Sequence, residues 1–176
     1  KWQTTFLGMN VPLIKQSHNN YCGVASTLQI LYALDSSQID RTSDDLKDQM
    51  DALAPSIMSG DSASRPNILE ALHAENSKYR VHDNKTPEAI YSIQSGYPCI
   101  AHVKPVQLFP RYIEYGVTYE GGHFITVIGY DSVSGYLVFS DCSYVSSGNR
   151  TNFGIYLVSC SALDLSGSVD MYVAYH

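Results

Sequence analysis

Apolar positions along this chain follow two different periods, and the change from one to the other falls near residue 97. Val24, Leu28 and Leu31 recur at helical spacing and predict a helix that opens at Cys22 and runs to about Leu34. Leu46, Met50 and Leu53 repeat the pattern in a second helix, with Ser43 as its cap and Ala54-Pro55 as its stop. The small polar run 59–64 reads as a loop. Pro66 then fits the first position of a third helix whose apolar face is Ile68, Leu69 and Leu72. A short fourth helix has Thr86 as cap, Pro87 next, Glu88 near the positive end, Ile90 and Ile93 inward and Gly96 as stop.

From Tyr97 onward the pattern is that of strands. Residues 98–103 form the first, and a Pro- and Tyr-bearing excursion occupies 104–120. Residues 123–130 and 136–141, joined by the turn 131–135, have the β-branched and aromatic content of a hairpin. Two further strands, 153–159 and 169–175, close the chain, and 1–15 is an irregular lead-in with an extended piece at 9–14. Helices first and an antiparallel sheet afterwards predict an α+β fold in one domain over 1–176, with a helical half at about 16–96 and a sheet half at about 97–176.

Composition narrows the function classes. Fourteen tyrosines in 176 residues suit a sheet with an amphipathic groove. The net charge of −6, with few and scattered lysines and arginines, offers no phosphate-binding stripe, so no nucleic-acid partner is expected. No apolar run reaches the roughly 18 residues of a membrane span. A start at Lys1-Trp2 is read as that of a mature or trimmed portion, one module of a larger secreted protein, extracellular or at the cell surface. Asn84-Lys-Thr and Asn149-Arg-Thr match the glycosylation pattern. Of the four cysteines, a reduced Cys22 leaves three and permits at most one disulfide, for which Cys142 and Cys160, both near strand ends, are the more plausible pair.

Cys22 is the first chemical candidate. A cysteine in the first turn of a helix lies beside unsatisfied N–H groups and the positive end of the helix dipole, which favour the thiolate nucleophile. Asn19 or Asn20 can cap that helix, Gly23 permits close approach of a substrate, and the amide of Gln16 is placed to help the Cys22 N–H hold an oxyanion. The hairpin supplies the second half. Pairing with Tyr130 opposite Tyr136 puts His123 across from about Ser143 with Asp141 diagonal to it, while a register shifted by two puts Asp141 directly opposite. In either register ~5 to 8 Å separates the Cβ atoms, near enough for a carboxylate to orient an imidazole. Gly121-Gly122 before His123 leaves room for a substrate backbone. An inert buried cysteine, a satisfied strand-edge histidine and a three-ligand zinc site on Cys22, His123 and Asp141 are the alternatives. His18, His102 and the tyrosines at 21, 112, 115 and 119 could approach or line a groove and are left outside the catalytic set.

The blocks 11–16, 21–26, 122–131 and 139–141 together resemble the papain-like cysteine peptidases, and within them the bacteriocin-processing, double-glycine leader peptidase branch and its free-standing relatives. The resemblance covers most of residues 9–142, and Val24 stands where many relatives have proline. It implies a papain-like fold, no cofactor and a peptide or protein substrate. It also implies Gln16 as oxyanion donor, Cys22 as nucleophile, His123 as general base and acid, and Asp141 as the orienting residue. The same thioester chemistry serves amide or isopeptide cleavage and acyl transfer, and a non-catalytic peptide-binding module is the reading from another class.

Overall fold

The computed structural model describes residues 4–6, 11–42, 45–83, 86–105, 121–143, 146–147, 150–151 and 154–176. Its centre is an antiparallel sheet of seven strands. The strands are β1 (Thr4–Phe6), β4 (Tyr79–Asp83), β5 (Cys99–Val103), β6 (His123–Asp131), β7 (Tyr136–Ser140), β10 (Ile155–Ser159) and β11 (Val169–Tyr175). They lie in the order β10-β7-β6-β5-β11-β4, and β1 shares the β5 edge of β6 by pairing with its far end. Two small ribbons stand apart: β2 (Met58–Ser59) with β3 (Ser62–Ala63), and β8 (Ser146–Ser147) with β9 (Arg150–Thr151).

The helices cover both faces of this sheet. On one side α1 (Cys22–Ala33), α2 (Leu46–Ile57) and α3 (Arg65–Glu75) bury Val24, Leu28, Leu31, Met50, Ile57, Ile68 and Leu72 against Ile100, Phe124 and Val173. On the other, α4 (Thr86–Gln94) and α5 (Cys160–Ser166) bring Ala89, Ile93 and Leu163 onto Ala101, Ile125, Val127, Phe139 and Tyr172. The architecture is the expected α+β, but the helical part divides between the faces. This double cover explains why β6 is buried from His123 through Gly129, whereas a strand with one wet face would alternate. Burying all seven apolar side chains of the first group contributes on the order of 1.5–3 kcal/mol for each large one.

One polar network crosses this apolar contact. Gln29 on α1 donates to Ser140 Oγ at 2.9 Å and accepts from Thr126 Oγ1 at 2.7 Å, and all three side chains are buried. Since a buried polar group is tolerated only when paired, this triangle fixes how far α1 slides along the β6–β7 pair, and thus where Cys22 ends up.

Several local expectations are corrected. The α1 N-cap is Tyr21 with no side-chain cap, and the Asn20 side chain instead donates to the Asp61 carbonyl at 3.3 Å. Asp45 caps α2 by accepting from Lys47 N, and Ser43 lies outside the described residues. Pro55 sits inside the last turn of α2, where a lost amide costs a single terminal bond, so the helix continues to Ile57. The loop at 59–64 holds the β2–β3 ribbon, 4–6 pairs as a strand, and β4 and α5 were not foreseen. Thr86 donates its hydroxyl to Asp164 at 3.1 Å and lies within α4. All four cysteines are free, Cys142 being buried beneath α1 while Cys160 opens α5, so the Cys142–Cys160 disulfide that the spacing permitted is not formed. Residues 106–120, with their tyrosines, and the acceptor asparagines of both glycosylation triplets, Asn84 and Asn149, lie outside the described residues.

Candidate active site

Three remote segments meet at one end of the sheet. The hairpin between β6 and β7 begins with Asp131 opposite Tyr136, then a bulge after Gly129 drops the register by one, so that Val127 faces Phe139 and Thr126 faces Ser140. Extended by three residues, that register sets His123 across from Ser143 and Asp141 on the diagonal, the first of the two registers expected. His123 Nε2 and Asp141 Oδ1 lie 2.7 Å apart, with Asp141 wholly buried. The same oxygen accepts from the Ser143 amide at 2.9 Å, and Asp141 Oδ2 has no hydrogen-bond partner. Because Nε2 is committed to the carboxylate, Nδ1 is the imidazole nitrogen left for chemistry.

Strand alternation sends Phe124 toward α1 and His123 toward the other face. His123 is however the first residue of β6, where the sheet ends, and its ring lines the same cavity as Cys22, a cleft of about 620 Å³. Cys22 opens α1, and its sulfur is approached by the backbone amides of Phe124 and Gly23. The segment carrying Gln16 is tied to the end of β7 by a bond from the Gln16 amide to the Cys142 carbonyl at 2.9 Å. Thus Gln16, Cys22 and His123 line one cleft, and Asp141 is buried behind His123, bonded to its ring.

Gln16 is held more tightly than foreseen. Its side-chain amide donates to the carbonyls of His18 at 2.9 Å and Asn19 at 3.0 Å, and its Oε1 accepts from Cys142 Sγ at 3.3 Å. The thiol of Cys142 therefore sets which way the amide points, a role that sequence reasoning missed by treating Cys142 as a disulfide partner. It also reaches the Cys22 and Phe124 carbonyls, both at 3.6 Å, so it sits under the junction of all three segments.

Two glycines make the close approaches possible. A Cβ on Gly23 would stand 2.3 Å from Ala63 Cβ, so the β2–β3 ribbon can lie against the first turn of α1 only with hydrogen there. A Cβ on Gly122 would stand 2.4 Å from the His102 ring, which is itself held by Asp170 at 2.7 Å and rests on Phe124 with centroids 4.6 Å apart. His102, set aside as a hydrogen-bonded strand residue, is one, and it also lines the cleft together with Arg65, whose guanidinium reaches Asp170 at 2.6 Å. His18 is half exposed, 3.4 Å from Asp51.

Electrostatically the cleft favours neutral groups. Burial pushes the Cys22 thiol above its ordinary range; the amides of Phe124 and Gly23 oppose that rise and the charge of Asp141 adds to it. Burial, then the charge of His102, lowers His123 to about 4, and burial raises Asp141 to about 7 against the pull of the Ser143 amide. The helix start was expected to favour a thiolate; here desolvation outweighs the few amide donors and pushes the Cys22 thiol up. The donors of His123, Asp141 and Cys142 lie within 4.8 Å of one another, a group that does not include Cys22, so the zinc set drawn from the sequence is not the one assembled.

Among the described residues no helix is long and apolar enough to cross a membrane. The model of the Peptidase_C39 like family matches residues 9–156. No curated protein matches. Among solved structures, the chain is similar to a double glycine motif protease from an AMS/PCAT transporter, crystallised with the leader peptide. The identity is 14%, the TM-score 0.47, and the match covers 94% of this chain and 91% of that one.

Proposed function

The chain belongs to the peptidase C39-like family, whose model spans most of its length, and on that premise we propose that it is a cysteine peptidase which cleaves peptide bonds through a thioester acyl-enzyme. The observation that carries this reading is the convergence on one cleft of a helix-start cysteine and a histidine bonded to a buried carboxylate at 2.7 Å. Cys22 Sγ attacks the scissile carbonyl carbon while His123 Nδ1 takes the thiol proton, so that the thiolate forms only as the bond is made. The tetrahedral oxyanion is held by the Cys22 amide and the side chain of Gln16, which exchanges one of its two backbone carbonyls for the substrate. Collapse expels the amine, with the proton returned from His123, and leaves the acyl group on Cys22. Water then attacks the thioester with His123 again accepting a proton, releasing the carboxylic acid and the thiol. Asp141 keeps Nδ1 turned to the cleft throughout.

The test is product analysis on a mixed peptide library, with and without an added amine. Hydrolysed acids alone, lost in His123→Ala, are the expected outcome. Amide products with the added amine would move the assignment to acyl transfer, and a variant as active as the parent would remove His123 from the mechanism.

A further inference from the structure

A second cluster of ligating side chains lies away from the cleft, on the α4 side of the sheet's outer edge. His82 of β4, Glu88 in the first turn of α4 and His176 beyond the end of β11 come together from three segments. Glu88 Oε2 is 2.8 Å from His176 Nδ1 and 3.9 Å from His82 Nδ1, and the two rings lie 5.5 Å apart between centroids. All three donor groups fall within 4.8 Å of one another. His82 and Glu88 are partly buried, whereas the His176 side chain is 61% exposed.

We propose that His82, Glu88 and His176 form a binding site for a divalent transition-metal ion of the zinc class, with two imidazoles and one carboxylate as ligands and water in the remaining position. Two nitrogen donors exclude magnesium and calcium as the preferred ions, since those take oxygen, while the His₂-carboxylate set suits zinc. Tetrahedral zinc holds its donors at ~2.0–2.2 Å, hence about 3.4 Å from each other. The two Glu88 distances straddle that value, and small rotations, above all of the exposed His176 ring, close the set. Both imidazoles direct the same nitrogen at the same carboxylate oxygen, an arrangement in which a single cation can replace the protons that would otherwise sit between them. The ion would join β4, α4 and the end of β11, and so pin the edge strand to the helix. None of the three residues lines the cleft, so the site stands or falls independently of the peptidase reading.

The experiment is titration of the whole chain with zinc chloride by calorimetry, and with cobalt(II) chloride by absorbance, for the parent, Glu88→Gln, His176→Ala and His82→Ala. Expected is one equivalent bound with visible cobalt bands but without the near-ultraviolet sulfur-to-metal band that a site containing Cys142 or Cys22 would give. Each variant should weaken it roughly tenfold or more, and zinc should raise the melting temperature of the parent and not of Glu88→Gln. Should His82→Ala fold poorly without metal, the two variants on more exposed positions decide. No binding, binding unchanged in Glu88→Gln and His176→Ala, or binding carried wholly by a sulfur ligand would each overturn the proposal and leave the cluster as an ion pair. Peptidase activity of Glu88→Gln should equal that of the parent.

Discussion

Asp141→Asn separates a neutral His123–Asp141 pair from an ion pair. The carboxamide keeps the size of the side chain, its oxygen still accepts from the Ser143 amide, and its nitrogen takes the place of the unpartnered Oδ2. Asp141 is raised from 3.8 to about 7, so the folded protein holds this proton where the unfolded chain has lost it. Its contribution to stability is therefore fully present below the unfolded value and is lost as pH rises through about 7, about 4 kcal/mol in all at 1.36 kcal/mol per unit. His123 has the opposite sign: lowered from 6.5 to about 4, it contributes stability that is present above 6.5 and lost as pH falls through about 4. Over the window between about pH 4 and 6.5 the two slopes cancel in the parent, because one proton resides on the pair in both folded and unfolded states. The asparagine variant removes only the first slope. In urea denaturation across that window it should gain about 3 kcal/mol on the parent as pH rises. Parallel curves would show that Asp141 is already ionised in the folded protein, as a charged pair requires, and would refute the neutral pair.

Gln16→Ala tests the oxyanion role against a structural one: turnover should fall by roughly 10² to 10³ with KM little changed, whereas a role confined to bracing the turn before Cys22 would appear in the melting temperature. Gly23→Ala forces the β2–β3 ribbon off α1 and should cost about 1–3 kcal/mol in denaturant unfolding; no loss would mean that the ribbon yields freely. Gly122→Ala should lower kcat/KM by displacing the His102 ring, and adding His102→Ala should restore part of that loss, since the smaller side chain removes the clash; no recovery would separate His102 from the position of His123.

What was legible in the sequence were features with a local signal. The helix starting at Cys22, the Pro66 and Pro87 helix entries and the 131–135 turn each have a residue type that fixes backbone geometry, and the hairpin register follows from the turn within one bulge. Strand β4 was hidden because it is an edge: of its five residues only Tyr79 is buried, and its partner β11 lies some ninety residues on. The division of helices between two sheet faces was hidden too, since amphipathic spacing states that a face is covered and not which one. At the cleft, His123 and Asp141 could be paired through register alone. The grip of Cys142 on Gln16 depends on three segments packing together, and the Arg65–Asp170–His102 chain joins α3, β11 and β5, so neither leaves a spacing to read.

The central claim is that the sulfur of Cys22 is the nucleophile in a cleft shaped for peptide. Incubation of the protein with a peptidyl electrophile directed at thiols, followed by mass spectrometric mapping, tests it directly. A single adduct on Cys22, abolished in Cys22→Ala and slowed in His123→Ala while buried Cys99 and Cys142 stay unmodified, is the predicted result. Modification that persists in Cys22→Ala, or that falls first on another cysteine, would contradict it.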